Sequence, residues 1–339
     1  MLIDLHAHVI PDELAAAGPE ALRVEPGPDR ETRLLKAGDQ TRFTAVADYF
    51  SPERRLQALD QNEVDVEVVS PLPPLLDYSR PGDEGRDTAR GINEFIIRLC
   101  EHEPNRMLGL GTVPMQAPDL AAKELSEIKA MGLAGIEIGS NVSGASLGDE
   151  RFLDFFLEAE RLAVPIFIHA VNPTVGGRLP GSAMASFGFA SEIALTAASL
   201  VMGGVAERCP ELRVAFSHGA GGFPLMLTRG QWFWGRTWNE EPPGQGVTPA
   251  GPSPSALARH FYYDALVFDR RALRYLIDML GPDRLIVGTD FPAMPREQPA
   301  GRTLRSMDLP SAVLDEITWN NCWRFLGREV PDATGKDSR

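Results

Sequence analysis

The chain begins MLIDLHAH (residues 1–8), a short apolar run that ends in His6-Ala7-His8. Side chains two residues apart on a β-strand share a face, so a strand here would present both imidazoles together. Neutral imidazole is a common metal ligand, and two on one face form half of a zinc-type site. The pair therefore predicts a metal site, provided that other ligands meet it in the fold.

Seven more short apolar segments follow, usually with amphipathic stretches of helical periodicity between them. Near-continuous apolar strands that alternate with helices indicate a parallel sheet covered on both faces. Eight such units in about 290 residues predict an α/β protein, a (β/α)8 TIM barrel. A doubly wound sheet is the alternative, but no Gly-X-Gly-X-X-Gly run follows the first strand. The predicted strands are residues 2–8, 64–70, 107–113, 134–138, 165–169, 213–217, 261–266 and 284–289.

The strands and helices predict a single domain over residues 1–329, followed by a flexible tail over residues 330–339. Residues 11–50 are too many for an ordinary loop between a strand and its helix. Their mixed content predicts an inserted segment, either a small hairpin or a lid over the barrel mouth.

The net charge and the apolar runs limit the classes of partner and the cellular compartment that we expect. A formal net charge of −14 disfavours nucleic acid and anionic membranes as partners, whereas a few local arginines could still bind a small anionic substrate. The apolar runs look too short and interrupted to span a bilayer, and the start lacks the features of a signal peptide. We therefore expect a soluble, cytoplasmic protein. Cys100, Cys209 and Cys322 are far apart and predict reduced thiols.

Polar residues stand at the ends of three further predicted strands. His169 ends the fifth strand, His218 follows the sixth, and Asp290 follows the eighth. Active sites of such barrels lie at the carboxyl ends of the strands, so these side chains should converge with His6 and His8. Three imidazoles and a carboxylate are a reasonable ligand set for a divalent transition metal, and a fourth imidazole is then free for proton transfer.

Motifs spread along the chain, from about Leu2 to Phe325, carry a family resemblance. They are IDLHAH (3–8), LDQNEVD (59–65), VPIFIH (164–169), FSHGAGG (216–222), GPDR (281–284) and GTDFP (288–292). In this combination and order they resemble the amidohydrolase superfamily. Within it, they are most similar to the branch of 2-amino-3-carboxymuconate 6-semialdehyde decarboxylase and related aromatic-acid decarboxylases.

The resemblance implies roles for the strand-end residues. His6, His8, His169 and Asp290 would bind one metal ion, zinc in the decarboxylase that looks most similar and manganese in close relatives. His218 and Asp290 would be the catalytic residues, with His218 as the acid/base. Many amidohydrolases bridge a second metal with a lysine after the fourth strand, but residues 136–141 contain none. One metal is therefore predicted, with Glu137 as a buried carboxylate.

The implied function is metal-dependent non-oxidative decarboxylation, by a carboxy-lyase acting on a carboxylated aromatic or muconate-like small molecule. The same ligands also suit a hydrolase that opens a lactone or a cyclic amide with metal-bound hydroxide, so they do not choose between the two. A hydratase of a ring-cleavage product is a further enzymatic alternative. A degenerate barrel that binds without turnover is the non-enzymatic one, although the complete ligand set argues against it.

Three arginines are candidates for binding a substrate carboxylate, because guanidinium groups bind planar oxyanions through two hydrogen bonds. Arg229 follows His218 by eleven residues, and the resemblance implies that it reaches the neighbouring subunit's site, which predicts a homodimer. Arg42 lies in the inserted segment, and Arg178 lies in the loop after the fifth strand. Val171 replaces a tryptophan that is common in several relatives, so the pocket floor should differ from theirs.

Overall fold

The computed structural model describes residues 1–15, 20–238 and 241–331, so residues 332–339 of the predicted tail lie outside it. In the described residues, eight parallel strands follow one another in chain order round a single sheet. The strands are β1 (Ile3–Val9), β2 (Val66–Pro71), β3 (Met107–Gly111), β4 (Gly135–Gly139), β5 (Ile166–His169), β6 (Val214–Phe216), β7 (Tyr262–Asp264) and β8 (Leu285–Ile286).

The first and last strands meet and close the sheet into a barrel. The Leu5 N–H donates to the Val287 carbonyl at 2.9 Å, and the His8 N–H donates to the Phe291 carbonyl at 2.7 Å. Every residue of β1 is buried, as expected for a strand with a packed interior on one side and helices on the other. The predicted (β/α)8 barrel is confirmed.

The last three strands are shorter than the sequence predicts, and sharp turns follow β6 and β8 at the rim of the barrel. His218 and Asp290 both have left-handed backbone angles, with φ of 53° and 58°. A residue with such angles cannot continue a strand. Both side chains therefore stand on turns just beyond β6 and β8, at the rim of the barrel.

Twelve α-helices accompany the strands in the described residues. Ser51 caps the helix Pro52–Gln61 by accepting a hydrogen bond from the Arg54 N–H, and Asp269 caps the helix Arg270–Leu280 by accepting one from the Arg271 N–H. The helices are α1 (Pro52–Gln61), α2 (Gly82–Cys100), α3 (Pro118–Ala130), α4 (Leu153–Arg161), α5 (Phe189–Met202), α6 (Val205–Arg208), α7 (Phe223–Gly235), α8 (Pro254–Ala258), α9 (Arg270–Leu280), α10 (Arg302–Arg305), α11 (Ser311–Asp315) and α12 (Asn321–Leu326).

The segment between β1 and α1 forms its own small sheet. Its three antiparallel strands are Leu22–Pro26, Thr32–Ala37 and Gln40–Val46, one strand more than a hairpin. Phe43 of the third strand and Tyr49 just after it line the cavity at the barrel mouth. The inserted sheet thus contributes to the wall of the candidate site.

One helical stretch departs from expectation. Gly181–Met202 is long and apolar enough to cross a membrane when judged by length and composition alone, whereas the sequence predicts no such run. Its second half is α5, in which Ile193, Ala197 and Leu200 are buried against the barrel core. The apolar face of α5 therefore has its partner inside the fold.

Candidate metal centre

Four side chains converge at the carboxyl ends of the strands. His6 and His8 come from β1, His169 from the end of β5, and Asp290 from the turn after β8; their nearest ligand atoms all lie within 4.8 Å of one another. The Nε2 atoms of His6 and His8 are 3.1 Å apart, and Asp290 Oδ1 is 3.1 Å from that of His8 and 3.5 Å from that of His6. All four residues are buried, so together they could hold one cation.

Hydrogen bonds orient the three imidazoles with Nε2 toward the centre of the group. The acceptors for Nδ1 are the Asp264 carboxylate, 2.7 Å from His6, the Pro71 carbonyl, 3.1 Å from His8, and the Ala170 carbonyl, 2.9 Å from His169. Since each acceptor can take an Nδ1–H, the neutral form of each ring has its lone pair on Nε2, as metal ligation requires. Nε2 of His169 is buried and has no hydrogen-bond partner among the described residues. Such an atom is costly unless something binds it, so the group fits a divalent transition metal.

Charge in the metal-free group is shared between imidazole and carboxylate. Burial opposes the charged form of His6, but Asp290 and Asp264 outweigh it and raise the pKa of His6 to about 9. Burial likewise opposes the charged form of Asp290, yet His6 and His8 hold its pKa far below the ordinary value. Burial and the positive charge of His6 lower the pKa of His169. A metal cation would take over the role that the His6 charge plays beside Asp290.

His218 stands next to this group without belonging to it. Its ring centroid is 5.2 Å from those of His6 and His169, and its side chain lines the cavity above them. Burial, followed by the charge of His6, lowers the pKa of His218. The imidazole can therefore exchange a proton with a molecule in the cavity.

Glu137 is a fully buried carboxylate in the middle of β4, as predicted. Its Oε2 atom lies 3.8 Å from Nδ1 of His8, on the side away from the ligand atoms. Burial raises the pKa of Glu137 to about 7. It is thus a neighbour of one candidate ligand, outside the group of four.

A cavity of about 870 Å³ opens above the group, and His169, His218 and Asp290 form part of its lining. Most of the wall is apolar, and no lysine or arginine lines it within the described parts of the chain. Such a cavity suits a small molecule with an apolar body and a few polar groups. Apolar wall residues include Phe43, Leu72, Pro73, Phe189, Val267, Phe268, Leu276 and Met294.

The three predicted arginines lie outside this cavity. Arg42 is exposed beside Phe43, and Arg178 is exposed in the short turn Gly176–Arg178. Arg229 is exposed on α7, where its guanidinium carbon lies 5.0 Å from the centre of the Phe233 ring. In one copy of the chain they do not meet the four candidate ligands, so their roles stay predictions.

Asp264, which was not among the predicted site residues, lies directly behind the site. This buried residue ends β7, accepts the Nδ1–H of His6 and also accepts the Gly219 N–H at 2.9 Å. The signal was present, because Asp264 follows the apolar run FYY (261–263) much as Asp290 follows its own. Barrel geometry brings carboxylates at or after the ends of both strands to the same rim.

A parallel barrel with a buried His/Asp group at its carboxyl rim defines a class of metal-site barrels that includes many hydrolases and lyases. The chain belongs to the amidohydrolase family, whose model, described as "Amidohydrolase", matches residues 3–328. The predicted family resemblance is confirmed.

Individual relatives refine this picture. The chain is 32% identical over 282 residues to a 2-amino-3-carboxymuconate-6-semialdehyde decarboxylase of Dictyostelium discoideum, a match that covers 82% of the chain and 77% of the relative. A 5-carboxyvanillate decarboxylase of Sphingomonas paucimobilis has a similar structure, with a TM-score of 0.77 at 22% identity, covering 97% of the chain and 99% of that protein. A dihydroxybenzoic acid decarboxylase of Polaromonas sp. JS666, solved with manganese and 2-nitroresorcinol, has a TM-score of 0.69 at 22% identity, covering 81% and 85%.

Proposed function

We propose that the protein is a metal-dependent non-oxidative decarboxylase, a carboxy-lyase that acts on a carboxylated aromatic or muconate-like small molecule. The observation that carries this proposal is the placement of four ligand atoms and His218 at the inner end of a large apolar cavity. The 32% identity to a 2-amino-3-carboxymuconate-6-semialdehyde decarboxylase supports the reaction type.

His6, His8, His169 and Asp290 would hold a single divalent cation, with zinc proposed first and manganese as the alternative. Imidazole nitrogen together with one carboxylate suits either ion. When bound, the cation would attract the oxygen atoms of the substrate and stabilise negative charge on them. The manganese in the Polaromonas enzyme supports a divalent metal in this fold.

The protein's own residues would orient the substrate and supply the proton. The apolar walls pack against its planar body and exclude water from the reacting carbon. His218 gives a proton to the carbon that carries the carboxylate; the bond to that carboxylate then breaks, its electron pair stays on the carbon skeleton, and carbon dioxide leaves. The position of His218 supports this role, because its ring centroid lies 5.2 Å from those of His6 and His169 and its side chain lines the cavity; its lowered pKa makes the protonated form a stronger acid but also a less populated one.

Product analysis tests the reaction. Metal-loaded protein is incubated with a panel of aromatic carboxylates and lactones, and the release of carbon dioxide is followed beside the release of acid. We expect carbon dioxide from at least one carboxylate and a product with hydrogen in place of the carboxyl group. Lactone hydrolysis without carbon dioxide from any carboxylate would support the hydrolase instead.

We further propose a homodimer in which Arg229 binds the substrate carboxylate in the partner's site. The exposure of Arg229, and a cavity wall without arginine in the described part of one chain, support this arrangement. Mixing the inactive variants Arg229→Ala and His218→Ala should restore roughly one quarter of wild-type activity after subunit exchange, because half of the dimers would be mixed and each would contain one complete site. Recovery of no activity would count against a shared site. Arg42 and Arg178 are further candidates for this role.

The proposal also includes a cytoplasmic location and a small anionic substrate as the partner. The net charge of −14 disfavours nucleic acid and an anionic membrane surface as partners, whereas a few local arginines can still bind a small anion.

A further inference from the structure

Strand β1 contains a β-bulge between Asp4 and Ala7, and His6 lies within it. Asp4 lies opposite Glu67 of β2, and Ala7 lies opposite Val69. The chain thus advances three residues on β1 and two on β2, so β1 carries one extra residue between these pairs. Bulges of this kind re-aim side chains and are frequent next to active sites.

The bulge decides which way the histidines face. Ile3 and Leu5 belong to the buried apolar cluster that contains Phe167, and the His6 ring lies 5.0 Å from the ring of Phe167. Leu5 and His6 are neighbours in sequence, so on a regular strand they would face opposite sides of the sheet. The extra residue allows the apolar start of β1 and then both imidazoles to face the barrel interior.

Asp4 and the backbone of His6 hold the bulge in place. The Asp4 carboxylate accepts the His6 N–H at 3.2 Å, while the His6 carbonyl accepts the Asp290 N–H at 2.7 Å. Thr289, which precedes Asp290, donates its hydroxyl hydrogen to the same carboxylate. The bulge therefore connects β1, which carries His6 and His8, with the turn after β8, which carries Asp290.

Arg296 forms a buried ion pair with Asp4. Its Nε and Nη2 atoms lie 3.1 and 3.0 Å from Asp4 Oδ2, and Nη2 also donates to Glu67. Glu67 in turn accepts from Arg55 at 2.8 Å, and Arg55 donates to the His8 carbonyl at 2.9 Å. All of these side chains are buried, and their two positive charges balance the two negative ones. A network of this kind has a defined geometry only while every member is paired.

We propose that Arg296 is a positioning residue for the metal centre. Through Asp4 it fixes the bulge that turns His6 and His8 inward and joins them to the backbone of Asp290. The inference rests on the proposed function, because it assumes that these residues hold a metal ion. Arg296 would then set how tightly and with what geometry the ion is held, although it does not touch the ion.

Co²⁺ binding tests this role, with Arg296→Lys as the main variant. Lysine keeps the positive charge but lacks the planar fork that reaches two carboxylates in fixed geometry. We expect Arg296→Lys to bind Co²⁺ ~10–100-fold more weakly in competition with a chelator, as is typical when a residue that supports a metal ligand is changed. The visible absorption spectrum of the bound Co²⁺ should also change, because it reports the coordination geometry.

Arg213→Lys is the matched control. Arg213 is a half-buried arginine at the amino end of β6, where it donates to the carbonyls of Phe325 and Ala163. Its replacement should lower the thermal stability of the metal-free protein and leave Co²⁺ affinity and spectrum unchanged. General destabilisation would therefore not imitate the effect of Arg296→Lys.

Asp4→Asn tests the pairing of Asp4 with Arg296 by changing Asp4. If Arg296→Lys does not fold, this variant still tests the positioning role. Asparagine has nearly the same shape but loses the charge that pairs with Arg296, so we expect weaker Co²⁺ binding and an altered spectrum here too. Wild-type affinity and an unchanged spectrum in the folded variants would overturn the positioning role. Failure of the wild-type protein to bind Co²⁺ would instead overturn the proposed metal centre.

Discussion

The Asp264 carboxylate lies 2.7 Å from Nδ1 of His6, and both side chains are completely buried. The same carboxylate accepts the N–H of Gly219, the residue that follows His218. One strand-end aspartate therefore orients a candidate metal ligand and holds the turn that carries the candidate proton donor. The proposed metal and proton sites share this support, so a change at Asp264 should affect both.

Replacing Asp264 by asparagine should weaken metal binding ~10–100-fold, since an uncharged amide orients and polarises the His6 ring less well. The affinity is measured by titrating the metal-free protein with zinc in competition with a chelator. Asp269→Asn is a suitable control, because Asp269 is a partly exposed cap of α9 five residues further along the chain. Equal zinc affinity in wild type and Asp264→Asn would show that the hydrogen bond to His6 does not tune the site.

The fold and the ligand group could be predicted because both depend on local patterns. Each barrel strand is a short apolar run, and barrel geometry brings all the strand ends to one rim. His6, His169 and Asp290 could therefore be placed together although more than 280 residues separate the first from the last. Strand lengths were less accurate, because an apolar run can continue past the end of a strand, as at Val287 after β8.

The β-bulge and the buried ion pairs that position the candidate ligands could not be predicted in the same way. The bulge in β1 is defined by its register with β2, so the sequence of β1 alone does not reveal it. Arg55 and Arg296 look like surface charges in the sequence, yet both are buried with carboxylates of β2 and β1, namely Glu67 and Asp4. Such pairs form between distant segments, and only the folded chain shows which charges they join.

Metal content should depend on His169 and Asp290. We expect about one divalent metal ion per chain in wild type, and loss of most of it in His169→Ala and in Asp290→Ala, because each removes a ligand atom from the group of four. Elemental analysis of the purified proteins gives the number of metal ions per chain. The exposed His102 provides the control, since His102→Gln should keep the full content. Retention of metal in both ligand variants would mean that the ion is held elsewhere.

His218→Gln should separate metal binding from turnover. Since His218 lies beside the ligand group and outside it, the variant should keep its metal but release carbon dioxide ~10²–10⁴-fold more slowly, as expected for loss of a general acid. Elemental analysis and carbon dioxide release are measured on the same preparation. His260→Gln, which changes an exposed histidine before β7, should alter neither. A variant at His218 that remained fully active would remove this residue from the mechanism.

Glu137 should make the stability of the metal-free protein depend on pH. Its carboxyl group has an ordinary pKa of 4.5 when exposed, and burial raises the pKa to about 7 in the folded protein. The folded state therefore holds this proton more tightly than the unfolded state does, and the free energy of unfolding should fall as the pH rises from 4.5 through 7.

Relative to Glu137→Gln, which does not titrate, wild type should lose about 3 kcal/mol over this interval. Chemical unfolding at several pH values, with metal removed by a chelator, measures the difference between the two proteins. Glu127→Gln on α3 is the control, because the Glu127 side chain is exposed and its replacement should leave the pH profile of wild type intact. Parallel profiles for wild type and Glu137→Gln would mean that Glu137 stays ionised in the folded barrel.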